Sequence, residues 1–194
     1  VLGRLAQLYP HLRFTSLPAT DAPLKAGKKL ALTVGLKSAR FERILLSDAD
    51  CYPASDQWLR RMSSRLEGEK QIVLGYGAYE RHPGLLNLLI RYETVFTAMQ
   101  YLGMALKDKA YMGVGRNLGY RKSLFFSGKG FSSHYHVPSG DDDLFVNEHA
   151  RAGNTAIEID PASHTRSIPK KRWGEWLRQK QRHLGAGRLY KASS

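Results

Sequence analysis

RILLSDADCYPASDQWLRRMSSRLEGEKQIVLGYGAY, residues 43–79, decides the fold. It opens on an apolar run at 44–46, passes through a polar stretch from Ser55 to Gly68, and returns to an apolar run at 72–74. Short unbroken apolar runs bounded by turn residues read as buried strands. A stretch with serine at its head and glycine at its end reads as a helix, with Ser55 as its N-cap. Strand, helix, strand in that order predicts a βαβ unit with parallel strands, "QIVLGYGAY" being the second of them.

The same stretch poses a problem of charge. Asp48 and Asp50 stand one residue apart where the first strand should end, and a period of two puts both on one side of an extended backbone. Ligands of open α/β sheets bind beyond the carboxyl ends of the strands. A divalent cation shared between these carboxylates and a ligand's phosphates would relieve their repulsion, which is how Mg²⁺ is usually held. A solvated pair, with Asp50 turning the chain into Pro53, accounts for them equally well. Cys51 reads as a small buried neighbour of that turn rather than a nucleophile.

Outward from this unit, residues 11–17 (HLRFTSL) predict a short strand and residues 25–39 a helix with Leu30, Val34 and Leu36 along it. Residues 84–105 predict a long amphipathic helix or a broken pair. "YMGVGRNLGYRKSLFF" is Gly-rich with short extended pieces, and "GVGRNLG" is not the dinucleotide fingerprint. "SGDDDLFVNEHARAGN" predicts a capped helix ended by Gly153 and Asn154, "TAIEID" a strand, and "WGEWLRQKQRHLGAG" a basic helix. No repeat or linker divides the chain, so residues 1–194 are expected to form one domain.

Composition narrows the classes. The chain has 194 residues, 42% of them hydrophobic, enough for one sizeable core. No apolar run approaches the roughly 20 residues that cross a bilayer. One cysteine excludes an intrachain disulfide and a cysteine-based zinc site. The formal net charge of +13 calls for an anionic partner: nucleic acid, a phosphorylated ligand or an acidic membrane face. Eight Lys or Arg and one acid, Glu175, lie between Lys170 and Lys191, so over half of that charge is C-terminal. His134 and His136 read as loop or acceptor-cleft residues rather than as a metal pair.

A second acidic cluster bears on the first. Asp141, Asp142 and Asp143 open a predicted helix, where the dipole favours acids by about 0.3–1 kcal/mol each. Three in succession exceed what capping requires, and one of them could serve as a general base beside a bound acceptor.

The series "KKLALTVGLKSAR", "RILLSDADCYPASDQWL", "GRNLGYRKSLFF", "SGDDDLFVNEHA" and "QKQRHL" resembles the family 2 glycosyltransferases of GT-A fold, especially their bacterial membrane-associated branch. The likeness runs from about Phe14 to Tyr190 and rests on several motifs in order. It implies a Rossmann-like α/β fold with a mixed, mainly parallel sheet flanked by helices. In that family the D-x-D carboxylates hold the metal and the nucleotide-sugar, here Asp48 and Asp50 with Mg²⁺ or Mn²⁺. A downstream acidic motif supplies the base, and its counterpart makes Asp142 the preferred base, with Asp141 and Asp143 beside it. The family's Q-x-x-R-W is matched at Gln179 and Arg182, with His183 where Trp is usual. Arg182 would reach the diphosphate, and aromatic work could pass to Trp173 or Trp176, although a Trp pair at this spacing is more often plain packing. Asn117 falls in the segment that lines acceptor and donor sugar. Lys29 could face the nucleotide, although solvent is the commoner destination for a helical lysine. Thr33 stands where the family often has Asn. The family's first strand–helix unit has no match, so the chain is expected to be an N-terminally incomplete catalytic domain lacking part of the nucleotide pocket.

The resemblance implies an inverting transfer of a sugar from a nucleotide-diphosphate donor to a hydroxyl on a glycan or lipid-linked acceptor. The basic C-terminal segment with its Trp and Tyr residues adds an anionic membrane surface, on the cytoplasmic face, as a partner. A metal-dependent phosphohydrolase or phosphotransferase ranks lower, because Cys51 and Tyr52 follow the aspartates where that class wants Thr or Val. A non-enzymatic module laying its basic helix on RNA or membrane ranks third. With the transferase reading in front, no nucleic-acid partner is expected.

Overall fold

The computed structural model describes residues 2–16, 27–134 and 140–187, excepting the side chains of 134 and 182–187. Its helices are α1 (Leu2–Leu8), α2 (Gly27–Ser38), α3 (Trp58–Ser64), α4 (Leu85–Leu106), α5 (Lys122–Ser127), α6 (Asp143–His149) and α7 (Trp173–Gly187). Its strands are β1 (Arg43–Leu46), β2 (Cys51–Pro53), β3 (Ile72–Gly75), β4 (Gly77–Tyr79), β5 (Leu118–Arg121), β6 (Thr155–Glu158) and β7 (Thr165–Ser167).

Two mixed sheets result. The larger has the order β1-β5-β3-β6 and the smaller β2-β7-β4. β3 pairs parallel with β6, while β5 pairs antiparallel with both β1 and β3. β1, β3 and β6 therefore run one way, and β5 is inserted against them between β1 and β3. At Gly119 of β5 a Cβ would come within 2.4 Å of Leu45 Cδ2 and 2.7 Å of Val73 Cγ1, so only glycine lets the three strands close.

β3 is buried along its whole length, as a central strand with both faces covered should be. Ile72 and Leu74 point into a core built with Tyr101 and Ala105 of α4, Tyr120 of β5, and the aromatic group Phe125, Phe131 and Phe145. Val73 points the other way, onto Met62 and Leu66. Tyr101 donates its hydroxyl to the Gly75 carbonyl at 2.7 Å, tying α4 to the end of β3.

Several sequence expectations need correction. Residues 12–16 form no strand, and residue 17 lies outside the described residues. β1 is only half-buried, because it is the edge of its sheet. "QIVLGYGAY" is two strands, since the chain leaves the larger sheet at Gly75 and joins the smaller one at Gly77. The N-cap of α3 is Gln57; the Ser55 hydroxyl, two residues earlier, instead accepts the Gln57 N–H at 3.0 Å. α6 stops at His149, ahead of Gly153 and Asn154. α2 and α4 fall where expected, α4 as a single helix, and α7 matches its predicted stretch residue for residue.

Candidate active site

The end of β1 and the N-terminus of α6 meet across α2. Asp48 and Asp50 lie in the turn between β1 and β2, at the strand end where the sequence puts them. Lys28, in the first turn of α2, places its Nζ 3.0 Å from Asp48 Oδ1 and 2.7 Å from Asp141 Oδ2. Asp141 is 7% exposed, so its charge is held inside the protein by that ammonium. Burial alone would lower the Lys28 pKa. Asp141, with Asp48 and Asp142 behind it, outweighs burial and holds it above the ordinary lysine value.

Asp142 caps α6. Its Oδ1 accepts the Asp143 N–H at 2.9 Å, and its Oδ2 accepts the Gly115 N–H at 2.6 Å from the loop before β5. Burial first, then the neighbouring Asp141 and Asp143 charges, push its pKa up to about 6 against Lys28 and the Gly115 N–H. Gly140 precedes the cluster at φ 88, a conformation that side chains rarely adopt, and a Cβ there would meet Leu144 Cδ1 at 2.4 Å. This turn presents Asp141 to Lys28 while Asp142 caps the helix. Asp143 Oδ1 accepts the Leu144 N–H at 2.8 Å.

Ligand oxygens of Asp48 and Asp50 and the Cys51 sulfur all lie within 4.8 Å of one another. The two carboxylates are a hard oxygen pair suited to Mg²⁺ or Mn²⁺. The Cys51 thiol is not part of such a set: burial raises its pKa, and it exchanges a hydrogen bond with Ser167 Oγ at 2.9 Å. The nearness of the two carboxylates fits a divalent ion held between them, with Lys28 on Asp48 Oδ1 as a cation that competes for the same group.

Lys29 departs from its expected place. Its side chain is buried at 2% exposure, with Nζ 6.0 Å from the Phe131 ring centre, and burial lowers its pKa against the pull of Asp141, Asp143 and Asp142. The lysine that reaches the acidic clusters is Lys28, one residue earlier. Helical lysines are seldom buried, and no sequence signal marks Lys29 as the one that turns inward.

Asn117 is fully buried. Its Oδ1 accepts from Trp58 Nε1 at 2.9 Å, and its Nδ2 donates to the carbonyls of Tyr76 and Ser163 at 3.0 and 2.8 Å. Its amide thus knits α3, the β3–β4 crossing and the turn Pro161–Ser163 together beneath the site. Thr33 donates its hydroxyl to the Lys29 carbonyl at 2.8 Å within α2.

α7 lies against β4 and α4. Gln179 Nε2 donates to the Tyr79 hydroxyl at 3.5 Å, and Lys180 is ion-paired with Glu93 of α4. The Arg116 guanidinium lies 4.4 Å over the Tyr79 ring, with a buried Nη1 that has no hydrogen-bond partner among the described residues. Sequence reasoning passed over Arg116, although it is the cation within "GVGRNLG". Trp173 and Trp176 pack edge to face at 5.8 Å. The side chains of Arg182, His134 and His136 lie outside the described residues.

No protein-family model matches this chain, and no curated protein does. Among solved structures it is similar to the mannosyltransferase PcManGT from Pyrobaculum calidifontis, determined in complex with GDP-Man and Mn²⁺. The match has TM-score 0.58 and 20% identity and covers 98% of this chain and 51% of that one. Mannosyl-3-phosphoglycerate synthase from Rubrobacter xylanophilus matches with TM-score 0.44 and 16% identity, over 84% of this chain and 52% of its own. The chain thus spans about half the length of the structures it matches. Its mixed sheets flanked by helices are those of the GT-A glycosyltransferase fold.

Proposed function

We propose that this chain is catalytic machinery of a metal-dependent, inverting glycosyltransferase that moves a sugar from a nucleoside-diphosphate donor to a hydroxyl of a glycan or lipid-linked acceptor. The observation that carries the reading is the meeting of two acidic motifs at Lys28, Asp48 on one side and Asp141 on the other, inside a GT-A sheet. That a similar structure holds GDP-Man and Mn²⁺ supports a nucleotide-sugar and a divalent ion as the partners of these acidic motifs.

Asp48 and Asp50 would hold Mg²⁺ or Mn²⁺, and when bound that ion supplies positive charge to the donor diphosphate. Lys28, 3.0 Å from Asp48, places an ammonium beside these carboxylates. Arg116 adds a guanidinium whose buried Nη1 has a bonding position to give. Gln179 and Arg182, three residues apart on α7, would bring a further amide and cation to the diphosphate. Lys29 offsets the charge of the α6 acids from below, and Asn117 fixes the floor.

Asp142 is the preferred base, with Asp141 and Asp143 as its neighbours. Asp141 is already committed to Lys28, whereas Asp142 has a pKa of about 6 that matches proton abstraction near neutrality. It takes the acceptor hydroxyl proton as that oxygen forms its bond to the anomeric carbon. The bond from that carbon to the nucleoside diphosphate breaks on the opposite face, so one base and no enzyme nucleophile suffice. The exposed cations of α7 and the segment before it suit the anionic cytoplasmic face of a membrane, where a lipid-linked acceptor would lie.

A screen of nucleotide-sugars with the full protein, reading released nucleoside diphosphate with Mg²⁺ or Mn²⁺, tests the proposal. Release that depends on metal, acceptor and Asp142 is expected; no release from any donor would overturn it.

A further inference from the structure

α4 carries large apolar residues on two sides, with Asn87, Arg91, Glu93, Thr94 and Gln100 among them, and a helix with more than one apolar stripe belongs against something on each. Its inner side is covered: Ile90, Ala98, Tyr101 and Ala105 are buried. Its outer side is not. Leu85, Leu88, Tyr92, Phe96, Met99 and Leu106 recur at three-, four- and seven-residue intervals along one stripe and are 49% to 76% exposed. Tyr92 and Phe96 stack on each other, 6.2 Å between ring centres. At 1.5 Å per residue the stripe is about 30 Å long, and apolar patches of that extent mark interaction surfaces.

Charge says what covers it. A cleft of about 720 Å³ at the N-terminal end of α4 is lined by Arg81, His82 and Arg91 together with Leu85 and Leu88. A second, of about 470 Å³, sits at the other end among Met99, Met104 and Lys107. The stripe therefore ends in cations at both ends. The acids beside it are already engaged, Glu80 with Tyr52 and His82, and Glu93 with Lys180. The surface continues onto α7. Trp173 and Leu177 precede Lys180 by seven and three residues, so they share the side of α7 that Lys180 fastens to α4, and both are about half exposed. Arg172 and Arg178 are exposed next to them.

We propose that the outer face of α4, with Trp173 and Leu177, docks on the surface of an anionic phospholipid bilayer. Leu88, Tyr92, Phe96 and Met99 enter the boundary between headgroups and acyl chains, and Arg81, Arg91 and Lys107 take the lipid phosphates. No helix among the described residues is long and apolar enough to cross a membrane, so α4 lies along the surface. A second copy of the chain fits this face less well. Two stripes paired antiparallel would set Arg81 and Arg91 of one against Lys107 of the other, and paired parallel they would set each cation against itself. The inference deepens the membrane reading given above and rests on it for the sign of the lipid charge.

Co-sedimentation of the full protein with vesicles of phosphatidylglycerol and phosphatidylcholine in equal parts, against phosphatidylcholine alone, tests it. The protein should sediment with the anionic vesicles only, and part of the binding should survive high salt, because it is apolar. The pair Phe96→Asp and Met99→Asp should lower binding about tenfold while circular dichroism shows the fold intact; Leu88→Asn serves if that pair does not fold. If the α4 variants sediment like the wild type while Arg172→Gln with Arg178→Gln does not, the α4 proposal is overturned and the basic-helix reading stands. If the wild type stays in the supernatant, both fall. A dimer in vesicle-free solution that the α4 variants split, with no vesicle binding, would assign the face to a second copy and overturn the proposal.

Discussion

Lys28 is ion-paired with Asp141 at 2.7 Å while its other contact, Asp48 at 3.0 Å, belongs to the motif at the end of β1. One ammonium thus joins two acidic motifs that lie far apart in the chain. The partners differ in burial, since the Lys28 side chain is half exposed and that of Asp141 only 9%. The carboxylate therefore depends on the lysine more than the reverse.

Replacing Lys28 by Met leaves the Asp141 charge buried and unpaired. Removing one partner of a fully buried pair costs about 3–5 kcal/mol; with Lys28 half exposed, a loss of about 1–3 kcal/mol is expected. Asp141→Asn in the same protein should recover part of it. Denaturant melts of the two single variants and the double variant close the cycle, and additive losses would show that the pair is not coupled.

The second expectation concerns the metal. UDP or GDP should bind more tightly with Mn²⁺ than with EDTA, by about tenfold or more, roughly 1.4 kcal/mol. Asp50→Ala should erase the difference without unfolding the protein. Equal affinities by calorimetry, with and without metal, would remove Asp48 and Asp50 from the donor site.

Asp142→Asn keeps the shape of the side chain and removes the proton acceptor. Turnover should fall about 10²–10⁴-fold, with donor affinity changed less than about twofold. In the wild type, kcat/KM should decline as pH drops through about 6, the pKa to which burial and the neighbouring acids push Asp142. A variant with near-normal turnover would move the role to Asp141 or Asp143.

The same carboxyl sets a pH dependence of stability. Its folded-state pKa of about 6 exceeds its ordinary value of 3.8, so between those values the folded state holds a proton that the unfolded chain has released. The stabilisation is present below about pH 4 and lost as pH rises through 6. Urea melts at pH 4.5 and 7 should show the wild type losing, relative to Asp142→Asn, on the order of 1–3 kcal/mol over that interval. The opposite sign would mean that the group is not raised.

Asn117→Ala should act on stability rather than on donor binding. It leaves Trp58 Nε1 and the Ser163 carbonyl without the Asn117 partner each now has, and leaves the Tyr76 carbonyl only the Thr165 N–H. A loss of about 2–4 kcal/mol is expected. A stable variant with weakened donor affinity would instead make Asn117 a sugar contact.

What the sequence reveals here depends on where each interaction's partner lies. α7 is legible to the residue because its signals are local, and the turn of Asp48 and Asp50 is legible because an apolar run announces the strand before it. β2 and β7 are three residues each and exist only by pairing with distant strands, Cys51 of β2 opposite Ser167 of β7 and β7 in turn beside β4. No local pattern marks them, and Pro53 argues against a strand. The split of "QIVLGYGAY" has the same cause, since Gly77 turns toward Thr165, far along the chain. Lys28 and Lys29 differ by one helical step, and which faces the acids is set by how α2 lies against Phe131 and α6. The meeting of the two acidic motifs was therefore suggested by residue type, while the cation that joins them was not.

The insertion of β5 between β1 and β3 has a consequence for synthesis. When residues 43–79 have left the ribosome, β1 and β3 both present unpaired edges, and the strand that fills the gap between them is only made at residues 118–121. Until then the nascent chain carries open edges with an apolar central strand, the form most prone to mispairing. Pulse-labelled hydrogen exchange should show Ile72, Val73 and Leu74 gaining protection together with Leu118 and Tyr120, not ahead of them. A chain stopped before Leu118 should be insoluble even though its helices α2 and α3 are complete.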